Sequence, residues 1–199
     1  EESIANLCEN FTNVLNQFVA NQERSLNEIE VLSDYNKSKI AEFNSATIDY
    51  PQDKVFIEYF EEIVRQQPDS TFILHDDTKL SYSEANKIAN RIANYIKEKY
   101  DIKPNDVIGL LLDKNEMMIP TIYGVLKSGA AYLPLQGHLP KERINFCLRD
   151  AGAKVVIAAS EFAAMVEGTS CEVLDNILSR SSNEENPEIV NSADDTINI

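Results

Sequence analysis

The sequence is short of positive charge, of long apolar runs, and of the residue patterns that bind metals and phosphates. Eighteen Lys and Arg stand against 33 Asp and Glu, a formal charge of −15 over 199 residues. Nucleic acid and anionic membrane surfaces both demand a basic footprint, so neither is expected as a partner. No apolar stretch approaches the roughly 20 residues of a membrane span, and no charged-then-apolar signal segment opens the chain. The expected compartment is the cytoplasm. Histidine occurs twice. His75 falls in an expected hairpin turn and His138 in an expected loop, without a second His, Cys or carboxylate at ligand spacing, and both read as solvated. Cys8, Cys147 and Cys171 are odd in number and widely spaced among apolar neighbours, which reads as free, buried thiols.

Glycine is sparse where chemistry would need it. The first strand-to-helix turn, Asp113-Lys-Asn-Glu116, contains none, and Gly124, Gly129 and Gly137 are not spaced to cradle a phosphate or dinucleotide. Ser81, Ser83 and Ser128 lack a nucleophile-elbow context, so capping or exposure explains them better than catalysis. Glu61-Glu62 and Glu184-Glu185 read as solvated faces rather than acid/base pairs, and Met117-Met118 as core.

What is present is architecture, and 43% apolar content is enough for a core. Val107 to Leu112 is a nearly unbroken apolar run, as both faces of a buried parallel strand require. Asn115 can cap a helix in which Met118, Ile119, Ile122, Val125 and Leu126 recur at helical spacing, with Gly129 as its left-handed stop. Pro120 would interrupt that helix if it began at Asn115, so a kink or a later start is expected. Ala130 to Leu135 reads as a second strand, succeeded by a helix beginning at Pro140 with Ile144, Cys147 and Leu148 inward. Gly152 ends it, and Val155 to Ala159 is a third strand. Two strand-helix-strand units of this length imply right-handed crossovers and a parallel sheet covered by helices, an α/β fold.

Upstream, residues 4 to 18 show one apolar helical face with nothing before it to cover it, and the chain starts at Glu1 rather than Met, so both ends read as cut from something longer. Residues 21 to 50 are polar without a sustained period and read as a linker along a surface. A helix is expected from Val55 to Val64, a hairpin over 71–75 and 79–82, and a helix from a Ser81/Glu84 capping box to about Tyr100. Residues 181 to 188 read as a polar loop, and Thr196 to Ile199 as the opening of another strand.

Two stretches resemble core motifs of a known family. Leu80-Ser-Tyr-Ser-Glu84 with Ala85-Asn86 and Ala89-Asn90 is similar to the first core motif of the amino-acid adenylation domains of nonribosomal peptide synthetases, and Leu126-Lys-Ser-Gly-Ala-Ala-Tyr-Leu-Pro-Leu135 to the second. Val31-Leu-Ser, Phe43-Asn, Tyr50-Pro51, Phe60-Glu-Glu62 and Pro68-Asp69 are similar to the lead-in of such domains. Pro140, Glu142-Arg-Ile144 and Asp150-Ala-Gly-Ala-Lys154 match the family's stretch immediately after the second motif. The likeness covers about Val31 to Ala159. Residues 1–20 resemble the closing helix of a condensation domain, which makes 21–50 the linker and 51–199 the amino-terminal part of an adenylation domain. Gln136-Gly-His138 departs from the family, where an acidic residue and a turn are usual, and Ala130 replaces a common glycine.

The resemblance implies the incomplete amino-terminal portion of the adenylate-forming, acetyl-CoA synthetase-like fold. It also implies a parent enzyme that uses ATP and Mg²⁺ to make an aminoacyl-adenylate and passes it to the phosphopantetheine of a carrier domain. The family's phosphate loop, adenine platform, metal-binding acids and late lysine all lie beyond the second motif, so no catalytic, cofactor-binding or metal-binding residue is carried onto this chain. The expected partners are the remainder of the adenylation domain, the adjacent condensation and carrier domains, and, for the parent, amino acid and ATP. Two alternatives stand beside this reading: a non-catalytic interaction module with an adenylation-like half fold, and a fragment of an adenylate-forming acyl-CoA ligase.

Overall fold

The structure is a computed structural model that describes residues 2–23, 25–46, 48 and 54–199. It comprises two compact units, residues 1–50 and residues 51–199. The Tyr50-Pro51 pair lies outside the described residues.

In the first unit, helix α1 (Glu2–Ala20) carries the expected apolar face, with Ile4, Leu7 and Phe11 exposed. Cys8 is exposed as well, because it falls outside any packed interface of this unit, which corrects its reading as a buried thiol. The polar stretch after α1 is fastened along it by amides. Asn13 Nδ2 donates to the Glu30 carbonyl at 2.7 Å, and Gln17 exchanges two hydrogen bonds with the Glu30 backbone. Asn10 Oδ1 accepts the Ser33 N–H at 3.0 Å. The sequence reads as irregular here, yet helix α2 (Asp34–Asn44) forms, its first turn capped by Ser33, whose Oγ accepts the Asn36 N–H. It buries no residue. Caps rather than an apolar face define α2, which is why periodicity does not reveal it.

The second unit begins with α3 (Phe56–Gln66), which leads into an antiparallel hairpin of β1 (Thr71–His75) and β2 (Thr78–Ser81). Ser81 then closes the expected capping box with Glu84 at the start of α4 (Tyr82–Lys99). The main sheet is parallel. It contains β3 (Val107–Leu111), β4 (Ala131–Leu135), β5 (Val155–Ala158) and β6 (Ser170–Val173), in the order β4-β3-β5-β6. The connecting helices are α5 (Met118–Ser128) and α6 (Lys141–Asp150), and α7 (Leu174–Arg180) comes directly after β6. Strand β6 and helix α7 are additions to the sequence reading, because Ser170-Cys-Glu-Val173 is too polar to signal a strand.

Helix α5 starts late, at Met118, so Pro120 occupies the first turn, where its missing N–H would have no intrahelical partner anyway. Asn115 acts just upstream, its Oδ1 accepting the Met117 N–H at 3.0 Å. Gly129 closes the helix at φ 101°.

Strand β3 is buried along its whole length, and its side chains alternate between two cores. Ile108 and Leu110 pack with Ile92, Ile96, Val125 and Ile157 on the side of α4 and α5. Val107 and Leu111 pack with Ile144, Leu148 and Val156 on the side of α6. Cys147 and Cys171 are half-buried at the rim of the second core rather than fully inside it.

Candidate functional site

Strand order singles out one place first. The chain steps from β3 to β4 on one side, then crosses to β5 on the other, and ligands of open parallel sheets bind outside the carboxyl ends of the strands at such a reversal. The residues arriving there are Asp113 to Glu116 after β3 and Ser160-Glu161 after β5. Several of these polar groups have protein neighbours: Glu116 lies 3.4 Å from His75 Nδ1, Asn115 caps its own turn, and Ser160 Oγ donates to Glu161 at 3.2 Å, while Asp113 and Lys114 are exposed. His75 keeps 41% of its side chain exposed beside Glu116, and His138 is exposed, as expected of solvated residues. After β4, a Cβ on Gly137 would meet the outer edge of the Phe162 ring, so a larger residue there would displace that ring. Among the described residues no group of three or more His, Cys, Asp and Glu side chains comes together to hold a metal ion.

The two family-like stretches converge elsewhere, on the segment that runs from α7 to the last residue. One face of α4 carries Asn86, Asn90 and Asn94 four residues apart, with Arg91 beside them. Asn90 Nδ2 donates to the Glu184 carbonyl and to Asn186 Oδ1, both at 2.7 Å, and Asn86 Nδ2 donates to the same Asn186 oxygen at 3.0 Å. Asn94 Nδ2 donates to the Glu185 carbonyl at 2.9 Å, and Lys97 Nζ to the Glu188 carbonyl at 2.9 Å. The Arg91 guanidinium donates to the carbonyls of Ser181 and Leu178. An irregular segment has no ladder of its own to satisfy its backbone, and here α4 side chains take that role.

The second stretch completes the cradle. Gly129 leaves room for Val190, which a Cβ there would approach to 2.7 Å, and its carbonyl accepts from Asn191 Nδ2 at 2.9 Å. Tyr132 donates its N–H to the Ile197 carbonyl at 2.9 Å and accepts the Ile199 N–H at 3.2 Å. Thr196 to Ile199 thus does open onto the sheet, as a parallel bridge between Asn198 and Tyr132 at the outer edge of β4. An apolar cavity of about 310 Å³ lies beside this edge, lined by Ile119, Tyr123, Leu126, Tyr132 and Ile197 among others.

Lys127 is the electrostatic centre. Its side chain has 0% exposure, with Nζ 2.5 Å from Glu61 Oε1, 3.1 Å from Asn186 Oδ1 and 5.9 Å from the centre of the Phe60 ring. Burial pushes its ammonium below the ordinary lysine range, and the Glu61 carboxylate opposes that shift without cancelling it. Glu61 is consequently a largely buried partner and not part of a solvated face, a correction that rests on its 11% side-chain exposure opposite this cation. Its neighbour Glu62 pairs with Lys54 at 2.5 Å. A second buried acid, Glu172 on β6, accepts from Tyr95, Tyr100 and Lys99. Burial raises its carboxyl, but those three donors outweigh burial and hold it below its ordinary value, while burial, then Glu172, pushes the Tyr100 hydroxyl up to about 12. Both clusters find their partners within the protein and hold elements together. The sequence reading missed the cradle, although the recurrence of Asn86, Asn90 and Asn94 every fourth residue was a visible signal.

Comparison with known proteins gives this arrangement a context. The family model for AMP-binding enzymes matches residues 60–198. Bacitracin synthase 2 of Bacillus licheniformis is 33% identical over 196 residues, 98% of this chain and 7% of that protein. Tyrocidine synthase 3 of Brevibacillus parabrevis is 35% identical over 196 residues, 98% of this chain and 3% of that protein. The chain thus spans a small share of the length of these relatives. Among solved structures, the nonribosomal peptide synthetase FmoA3 matches with a TM-score of 0.73 at 23% identity, over 98% of this chain and 21% of that one. The amino-terminal subdomain of NpsA from Klebsiella oxytoca matches at 0.64 and 20% identity, over 73% of this chain and 37% of that one.

Proposed function

The chain belongs to the AMP-binding enzyme family, among the adenylation domains of nonribosomal peptide synthetases, and from that premise we propose that it is the amino-terminal scaffold of an amino-acid-activating domain. The parent activates an amino acid with ATP and Mg²⁺ and loads it on the phosphopantetheine of a carrier domain, in the cytoplasm. An amino-acid carboxylate oxygen attacks the α-phosphorus of ATP and pyrophosphate leaves. The carrier thiol then attacks the acyl carbon and AMP leaves. Such a reaction needs the two oxygens held in line and the developing charge neutralised.

Among the described residues, those of the strand-to-helix turn after β3 do not fit the role of cradling the nucleotide: the turn has no glycine, and Asn115 and Glu116 in it already face protein partners. No chemical step is therefore assigned to this chain. Its proposed share is to build the sheet edge on which the next strand lies. Residues 1–20 are proposed as the closing helix of a condensation domain, 21–50 as the linker, and 51–199 as the adenylation part, with the rest of that domain and the neighbouring condensation and carrier domains as partners.

The observation that carries this reading is the convergence of both family motifs on residues 184–199. ATP–pyrophosphate exchange tests it. The 199-residue chain is expected to show no exchange above the blank with any amino acid, and the longer protein containing it to exchange with at least one. Exchange by the chain alone would overturn the scaffold role, and a longer protein inert toward every amino acid would overturn the activation.

A further inference from the structure

Just before the chain rejoins the sheet, one turn grips it from the side. Asn105, between α4 and β3, holds φ 69°, a left-handed conformation that asparagine tolerates better than most residues with a Cβ. From there its Nδ2 donates to Asp195 Oδ1 at 2.7 Å, while its Oδ1 accepts the Thr196 N–H at 2.8 Å. The other carboxylate oxygen of Asp195 accepts the Ser192 N–H at 2.7 Å and the Ser192 hydroxyl at 3.0 Å. The bridge to Tyr132 begins at the next residue, Ile197. The residue after Asn105 matters too, because the Asp106 carbonyl accepts the Ala131 N–H at 2.8 Å where β4 starts. One turn is therefore bonded both to the start of β4 and to the segment that bridges its outer edge.

We propose that Asn105 and Asp195 are positioning residues that fix the register in which the strand opening at Thr196 pairs with β4. Side chains alternate along a strand, so a slip of one residue would send every later side chain to the opposite face. The inference rests on the functional reading above, in which this strand leads toward the reactive part of the parent, since strand register decides what arrives at the carboxyl end of a parallel sheet. Neither residue touches a reacting atom. They act through the hydrogen bonds of Tyr132.

Amide hydrogen exchange of the 199-residue chain, monitored by NMR, tests this. Asn105→Gly keeps the backbone at ease and deletes the grip. It is expected to speed exchange at the Tyr132 and Ile199 amides about tenfold, the loss of roughly two hydrogen bonds, with Leu110 and Ile157 amides unchanged. Asn105→Asp sets two carboxylates face to face and should act in the same direction. Combining it with Asp195→Asn exchanges amide and carboxylate, restores the complementary pair, and should return both amides to the parental rate. Unchanged Tyr132 and Ile199 amides in Asn105→Gly, an equal rise at Leu110 and Ile157, or a combined variant that restores nothing would each overturn the proposal. Adenylation activity enters neither arm, so a failure here is distinct from a failure of the functional reading.

Discussion

Lys127→Met is expected to destabilise the chain by about 3–5 kcal/mol, the usual cost of leaving one member of a buried ion pair unpaired. The geometry places this case at the severe end. With the ammonium gone, Glu61 Oε1 loses a partner at 2.5 Å and Asn186 Oδ1 one at 3.1 Å. Methionine fills nearly the same volume beside Phe60, so the loss comes from charge rather than from a cavity. Removing both charges together, Lys127→Met with Glu61→Leu, is expected to recover most of the stability, because a buried pair often does no better than apolar groups of its size. Urea denaturation of the two variants checks this. A loss under about 1 kcal/mol for Lys127→Met would show the pair to be solvated.

Gly124→Val is expected to cost about 3 kcal/mol, the upper part of the range for overpacking a core. Helices α4 and α5 cross here with almost nothing between their backbones. A Cβ at Gly124 would lie 2.8 Å from the Cβ of Ile92 and 3.0 Å from the Ala89 carbonyl. Neither neighbour is the free end of a flexible side chain, and Ile92 is fully buried, so the helices themselves must separate. The Asn86 and Asn90 amides ride on the same stretch of α4, so a separation also loosens the cradle. A fall in the urea midpoint at constant slope is the expected signature.

Local signals made most of the second unit legible. The apolar run at β3, the Ser81/Glu84 box and the Gly129 stop are each written within a few residues, and each formed as read. Helix α2 was not legible because its caps act without an apolar face, and β6 was not because its one buried side chain is a glutamate that becomes acceptable only opposite Lys99, Tyr95 and Tyr100. The same limit applies to Glu61, whose partner lies 66 positions away. The cradle was half legible. Its amide stripe shows in the spacing of Asn86, Asn90 and Asn94, but what the stripe holds lies about 90 to 100 residues downstream, and no local rule names a partner at that distance.

The role of the two motifs as a cradle for the returning segment is tested most directly by a double-mutant cycle on Asn90→Ala and Asn186→Ala, measured by urea denaturation. The two side chains are joined by one hydrogen bond of 2.7 Å. If α4 holds the segment through these amides, the cycle should return a coupling of about 1 kcal/mol, within the range for residues in direct contact. Strictly additive effects of the two substitutions would contradict this, and would mean that the Asn90–Asn186 contact contributes nothing to holding the segment on α4.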